Sequence, residues 1–125
     1  MDQPMTDQHR PGNEASLALL DTLGVRFSED PLVERGTMFR SPGMKVGGKV
    51  FAFLGGADRL IVKIPRHRAE AAVAAGEAEP VTMGNRTMKE WVAYPAVWED
   101  PQQTEQCWAR AVDEAYAYVK SLGPE

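Results

Sequence analysis

Two apolar runs on either side of a short turn lie in the middle of the chain. Residues 50–54 and 60–64 read VFAFL and LIVKI, and residues 55–58 (GGAD) lie between them. β-Branched and aromatic residues flanking a turn of glycine and aspartate are the strongest local signal for a β-hairpin. The sequence therefore predicts an antiparallel sheet at the centre of the fold.

The length of 125 residues fits one domain whose core needs neither disulfides nor a metal. Residues 1–12 are polar and broken by proline and glycine, which predicts a flexible leader ahead of a single domain over residues 13–125. No apolar run approaches the roughly 20 residues of a membrane span, and the first residues lack the apolar core of a signal peptide. The lone Cys107 cannot form an internal disulfide, which fits a reducing cytoplasm.

Helical periodicity is clearest near the C-terminal end. Asp100 and Pro101 supply an N-cap and a first helical residue, and Gly123 and Pro124 end the pattern. One apolar face recurs at helical spacing through Trp108, Ala111, Val112, Ala115, Val119 and Leu122. Weaker patterns predict a helix near residues 14–23 and another near residues 66–75.

The remaining apolar segments predict strands. Three strands are predicted ahead of the middle helix, with a turn at residues 41–43 and a turn or bulge at residues 47–48. Residues 77–82 and 91–97 are predicted as two more. The predicted fold is α+β with the order α-β-β-β-α-β-β-α. It has two layers, a mostly antiparallel five-stranded sheet and helices on one face of that sheet.

The residue types that carry catalysis are scarce. His9, His67 and Cys107 cannot supply a zinc site of ordinary spacing. The glycines before Lys49 resemble a phosphate loop, but valine follows the lysine and a strand follows the glycines. Cys107 is interpreted as a small core residue, with a nucleophile paired to His67 as the alternative. The sequence thus predicts no enzymatic activity, no cofactor and no metal.

The net charge of −4 hides a basic segment between residues 35 and 68. One interpretation is that these side chains are solvated charges that keep strand edges from aggregating. The alternative is a nucleic-acid-binding surface. Its candidate residues are Arg40, Lys45, Lys49, Lys63, Arg66 and Arg68.

Aromatic residues allow two further interpretations. Trp91 lies near basic residues and is interpreted as filling the core rather than stacking on bases. Tyr116 and Tyr118 straddle the apolar face of the last helix, where an apolar body with a polar tip fits the edge of a homodimer interface.

Three segments resemble a known family. Residues 48–52 (GKVFA), 59–65 (RLIVKIP) and 88–91 (MKEW) are similar to the TfoX N-terminal domain family, and the resemblance spans residues 39–122. The related MmcQ/YjbR-like proteins share the layout. The resemblance implies the predicted element order, a fold like that of secretion chaperones, and no recognised catalytic residues.

The resemblance also gives expectations about function. TfoX is associated with regulation of competence for DNA uptake, and YjbR-like proteins are often described as DNA-binding. The C-terminal TfoX domain is not expected here, because the chain ends soon after the last predicted helix.

Three hypotheses follow. The first is a non-enzymatic interaction or regulatory module, dimeric, that works through the open sheet face or a strand edge, with its protein partner unknown. The second is nucleic-acid binding through the basic segment. The third is a small-molecule pocket between the sheet and the terminal helix.

Overall fold

Six antiparallel strands form one sheet, and helices cover one of its faces. The computed structural model describes residues 11–123, with side chains from Glu14 onward. Within this range the helices are α1 (Pro11–Gly24), α2 (Arg66–Ala74) and α3 (Pro101–Ser121). The strands are β1 (Val33–Met38), β2 (Ser41–Val46), β3 (Lys49–Gly55), β4 (Arg59–Lys63), β5 (Glu79–Met83) and β6 (Arg86–Pro95). Their order across the sheet is β1-β2-β3-β4-β6-β5, so β1 and β5 are the edge strands.

The predicted α+β class and the two-layer arrangement are confirmed, but the sheet has six strands rather than five. The additional strand arises because residues 47–48 form a turn that separates β2 from β3, whereas the sequence predicts a turn or a bulge there and counts one strand. The turn predicted at residues 41–43 lies instead at Phe39 and Arg40, and residues 41–43 belong to β2. Both turn residues have positive φ angles, 53° and 68°. Such two-residue turns favour glycine or asparagine, so a Phe–Arg pair gives no turn signal in the sequence. The turn at residues 47–48 is a tight two-residue connection between β2 and β3.

The first helix starts earlier than predicted. Helix α1 begins at Pro11, whereas the sequence predicts a helix near residues 14–23, and the domain start at residue 13 stays a prediction. Proline is well tolerated in the first turn of a helix, so it does not separate a leader from the helix. Residues 1–10 of the predicted leader lie outside the described residues.

The larger core lies between the helices and the sheet. Its largest fully buried side chains are Trp108, Phe51, Leu20, Leu23, Met44, Leu60 and Ile64. A bulge between β2 and β3 shapes this core, because Lys45 pairs with Val50 while Met44 pairs with Ala52. The bulge leaves Phe51 without a direct partner and turns both Phe51 and Ala52 toward the helices.

Helix α3 forms as predicted. Asp100 caps it, since its carboxylate accepts a hydrogen bond from the backbone N–H of Gln103 at 3.2 Å. Its buried face holds Trp108, Ala111, Val112, Ala115 and Val119. The indole of Trp108 donates to the Tyr94 carbonyl oxygen at 3.0 Å and ties the helix to β6. Leu122 lies outside the buried face and is 44% exposed. Within the described residues, no helix is long and apolar enough to cross a bilayer.

Candidate functional site

The sheet face away from the helices carries a second, smaller apolar cluster. Strand β4 shows the alternation, because Leu60 and Val62 belong to the helix-side core while Ile61 belongs to the second cluster. Phe53, Ile61 and Ala93 form the centre of this cluster and are at most 6% exposed. Because the helices cover the other face, side chains this well buried indicate that the sheet curves around them.

Two glycines leave room on the sheet for the side chains of this cluster. A Cβ atom on Gly43 would come within 2.5 Å of the Ala52 carbonyl oxygen and 2.8 Å of the Phe53 Cβ. A Cβ atom on Gly55 would come within 2.6 Å of the Ile61 Cδ1. The space that these glycines leave empty is therefore the space that Phe53 and Ile61 occupy.

A cavity of about 200 Å³ opens above this cluster. We call it the trough, and its lining residues are Met38, Phe39, Phe53, Arg59, Ile61, Pro80, Val81, Thr82, Met83, Met88 and Trp91. Met38 and Phe39 come from the β1 end of the sheet, and Val81 from β5 at the other end. Because residues from both sheet edges line one cavity, the sheet curls around it.

Aromatic rings build the wall of the trough. Phe53 makes edge-on contacts with Phe39 and with Trp91, at centroid distances of 6.0 and 5.5 Å. Phe39 and Met83 are 62% and 39% exposed, so apolar surface remains in contact with solvent at the mouth. Trp91 is thus half-buried on the open face, rather than part of the helix-side core.

Basic side chains border the trough. Arg59 pairs with Glu79 at 3.2 Å. Lys63 pairs with Glu90 at 3.7 Å, and its ammonium group lies 5.8 Å from the ring centre of Trp91. These two cations are therefore partly neutralised by acidic residues of β5 and β6.

Other cations beside the trough are not neutralised. Arg40 follows Phe39 in the β1–β2 turn and Arg86 pairs in the ladder with Met83, and both Phe39 and Met83 line the trough. Among the residues that the structure describes, neither of these two cations has a carboxylate within ion-pair distance. The border of the trough is thus positive, although the chain as a whole carries a charge of −4.

Three of the six predicted nucleic-acid-binding residues lie on the same side of the sheet as the trough. Lys63 is on the open face, and Arg40 is at the adjoining turn. The aliphatic stem of Lys45 lies across Gly36, where a Cβ atom would come within 2.8 Å of its Cε. These three cations are brought to one side of the sheet.

The other three lie elsewhere. Lys49 pairs across the β2–β3 hairpin with a residue of the helix-side core. Arg66 binds Glu70 at 3.1 Å, and Arg68 makes two hydrogen bonds to Glu114 at 2.7 and 3.2 Å. The six residues therefore do not form one surface, and nucleic-acid binding stays a prediction.

Comparison with protein families adds to this geometry. The family model described as TfoX N-terminal domain matches residues 26–115, about seven tenths of the chain. The chain belongs to the TfoX N-terminal domain family. No curated protein sequence matches the chain.

The part that matches the TfoX N-terminal domain includes every strand of the sheet. It runs from the turn after α1 into the last third of α3, so α1 lies outside it. All of the residues that line the trough fall within the match. The trough is thus built from residues of the family match, and α1 does not line it.

The two residues considered as a catalytic pair in this TfoX N-terminal domain are Cys107 and His67. Cys107 is half-buried on α3, and burial raises the pKa of its thiol, whereas an active nucleophile needs a lowered pKa. His67 is an exposed residue in the first turn of α2. No group of three histidine, cysteine or acidic side chains that could hold a metal ion occurs among the described residues.

The two tyrosines predicted at a dimer interface have partners within the chain. The hydroxyl of Tyr116 donates to the carboxylate of Asp30, and that of Tyr118 donates to Glu90 at 2.8 Å. Both polar tips are therefore used in joining α3 to other elements. The homodimer stays a prediction.

Proposed function

We propose that this TfoX N-terminal domain is a non-enzymatic interaction module that holds a segment of a partner protein in the trough. The observation that carries the proposal is the exposed apolar mouth of the trough, with Phe39 62% exposed above a floor of Phe53 and Ile61. Exposed aromatic and apolar surface beside a polar border is typical of sites where proteins bind one another.

The size and charge of the trough define its occupant. Its volume of about 200 Å³ is below the range of about 300–1,000 Å³ typical of sites for drug-sized molecules. One large apolar side chain fits such a space better than a whole small molecule. The methionines Met38, Met83 and Met88 adapt their shape to different apolar groups. The positive border favours acidic residues on either side of the inserted side chain.

Selection from a random peptide library displayed on phage tests this proposal. We expect the wild-type domain to enrich peptides with a tryptophan, phenylalanine, leucine or methionine flanked by aspartate or glutamate. Dissociation constants are then measured for a synthetic enriched peptide by fluorescence anisotropy. Phe39→Ala should weaken binding by tenfold or more, about the loss expected for a central aromatic contact.

Val25→Ala is the matched control. Val25 is 68% exposed in the short helical turn after α1, so its truncation removes exposed apolar surface away from the trough. Its affinity for the peptide should equal that of the wild type. The proposal is wrong if no such peptides are enriched, or if the two variants bind the peptide equally well.

Nucleic-acid binding is the second candidate, because Arg40, Lys45 and Lys63 lie on or beside the same sheet face. In a gel-shift assay, replacing Lys45 or Lys63 with glutamine should weaken binding to all sequences alike and reduce its salt dependence. The control is Lys49→Gln, on the other side of the β2–β3 hairpin. A wild-type domain that retains no DNA at low salt eliminates this candidate.

A further inference from the structure

A second cavity lies on the helix side of the sheet, where α2, α3 and the end of β6 meet. Its volume is about 350 Å³, within the lower range of small-molecule sites. Polar side chains dominate its lining: Arg68, Glu77, Tyr94, Gln103, Arg110 and Glu114. It shares no lining residue with the trough, so it is a separate feature of the molecule.

Tyr94 provides an unused hydrogen-bonding group in this cavity. The residue is 7% exposed, and its hydroxyl has no hydrogen-bond partner among the described residues. Tyr94 lines the cavity beside Arg68, Glu77 and Glu114, and burial, then the charge of Glu114 and the thiol of Cys107, raise the pKa of its hydroxyl. The ring is covered, whereas the hydroxyl is not among the buried polar atoms, so a molecule in the cavity can hydrogen-bond to it.

Charges of both signs surround that hydroxyl. Arg68 and Glu114 satisfy each other through two hydrogen bonds and form one wall. Arg110 and Glu77 also line the cavity, and neither has an ion-pair partner within residues 14–123. The cavity therefore offers one unpaired guanidinium and one unpaired carboxylate beside the Tyr94 hydroxyl.

We propose that this cavity binds a small zwitterion of the amino-acid class. The carboxylate of the ligand binds Arg110, its ammonium group binds Glu77, and the Tyr94 hydroxyl hydrogen-bonds to the ligand and orients it. A purely anionic ligand would face the Glu77 carboxylate, and a purely cationic one would face Arg110. Both groups are exposed at the cavity, and a ligand with both charges gives each of them an opposite charge to bind.

Titration of the ¹⁵N-labelled domain with free L-amino acids, followed by NMR, tests this proposal. For the best amino acid, two matched probes are added: the acid that lacks its ammonium group and the amine that lacks its carboxylate. We expect saturable binding of at least one amino acid at millimolar concentrations or below. Each matched probe should bind about tenfold more weakly, because a charge-assisted contact is lost.

Variants link the binding to the cavity. Tyr94→Phe keeps the buried ring and should weaken binding by about fivefold through the loss of one hydrogen bond. Arg110→Gln changes an exposed residue and should weaken it by at least as much. The control is Tyr118→Phe, because the Tyr118 hydroxyl already donates to Glu90 and does not line the cavity.

Three results would each overturn the proposal. The first is that no amino acid binds at millimolar concentrations. The second is that a matched acid or amine binds as tightly as the zwitterion. The third is that Tyr94→Phe, shown to be folded by its thermal unfolding, binds as well as Tyr118→Phe.

Discussion

Adding one methyl group at Gly43 should destabilise the domain, because the floor of the trough leaves no room for it. The new Cβ would lie 2.5 Å from the Ala52 carbonyl oxygen and 2.8 Å from the Phe53 Cβ. Both neighbours are fixed to the backbone of β3, so the strands themselves would have to move apart. Overpacking of this kind costs about 1–3 kcal/mol.

The unfolded chain partly offsets that cost. Replacing glycine with alanine stabilises a protein by about 0.4–1 kcal/mol through the lost freedom of the unfolded state. The free energy of unfolding of Gly43→Ala should therefore fall by about 1–2 kcal/mol. At Gly55, the close atom is the flexible Cδ1 end of Ile61, and a strained rotamer there costs only about 0.5–1.5 kcal/mol. Gly55→Ala should accordingly stay near the stability of the wild type.

Gly56→Ala is the matched control. A Cβ atom there meets nothing within 4 Å, and the φ angle of Gly56 is not in the left-handed region. This variant should gain about 0.4–1 kcal/mol. Urea unfolding followed by circular dichroism gives all three free energies. A Gly43→Ala domain as stable as Gly56→Ala would refute the close packing at the floor of the trough.

Two further predictions concern contacts of α3. Trp108→Phe should lower the free energy of unfolding by about 2–4 kcal/mol, because it leaves a cavity and removes the donor of the buried Tyr94 carbonyl. Thermal or urea unfolding measures this change, and a loss below about 1 kcal/mol would contradict the prediction. Hydrogen bonds from Lys120 and Tyr116 lower the pKa of Asp30 to about 2. Because the ionised carboxylate is favoured in the folded domain, these hydrogen bonds stabilise the fold above about pH 4, and this stabilisation is lost as the pH falls toward 2. Urea midpoints of Asp30→Asn should therefore fall less between pH 5 and pH 2 than those of the wild type, and parallel curves would contradict this assignment.

Features encoded by local patterns were predictable from the sequence. The apolar face and the Asp100 cap of α3 follow from spacing and residue type, and both are present. The alternation of β4 likewise places Val62 in the helix-side core and Lys63 on the open face. In each case, neighbouring residues in the chain carry the whole signal.

Features that depend on distant residues were not predictable in the same way. The β1–β2 turn uses Phe39 and Arg40 in left-handed backbone conformations that neither residue type favours. Only the pairing of the flanking strands holds the chain there, and this is why the turn was predicted at residues 41–43 instead. One strand was missed because two adjacent glycines at residues 47–48 fit either a turn or a bulge.

The trough illustrates the same limit. It depends on the curl of the whole sheet, which brings β1 and β5 to one cavity although 40 or more residues separate Met38 from Val81. The sequence did single out Trp91, but it gave no reason to place that residue on the open face. The basic segment was visible in the sequence, yet only the fold divides its cations between the two sides of the sheet.

The three tryptophans of the chain allow the most direct test of the trough as the binding site. Trp91 lines the trough, whereas Trp98 packs against the buried Trp108 at a centroid distance of 6.2 Å. Their indole N–H signals are followed by ¹⁵N NMR while an acidic peptide with one large apolar side chain is added. We expect the Trp91 signal to shift in a saturable way while the signals of Trp98 and Trp108 stay in place. Movement of the Trp98 or Trp108 signal with an unchanged Trp91 signal would contradict this expectation.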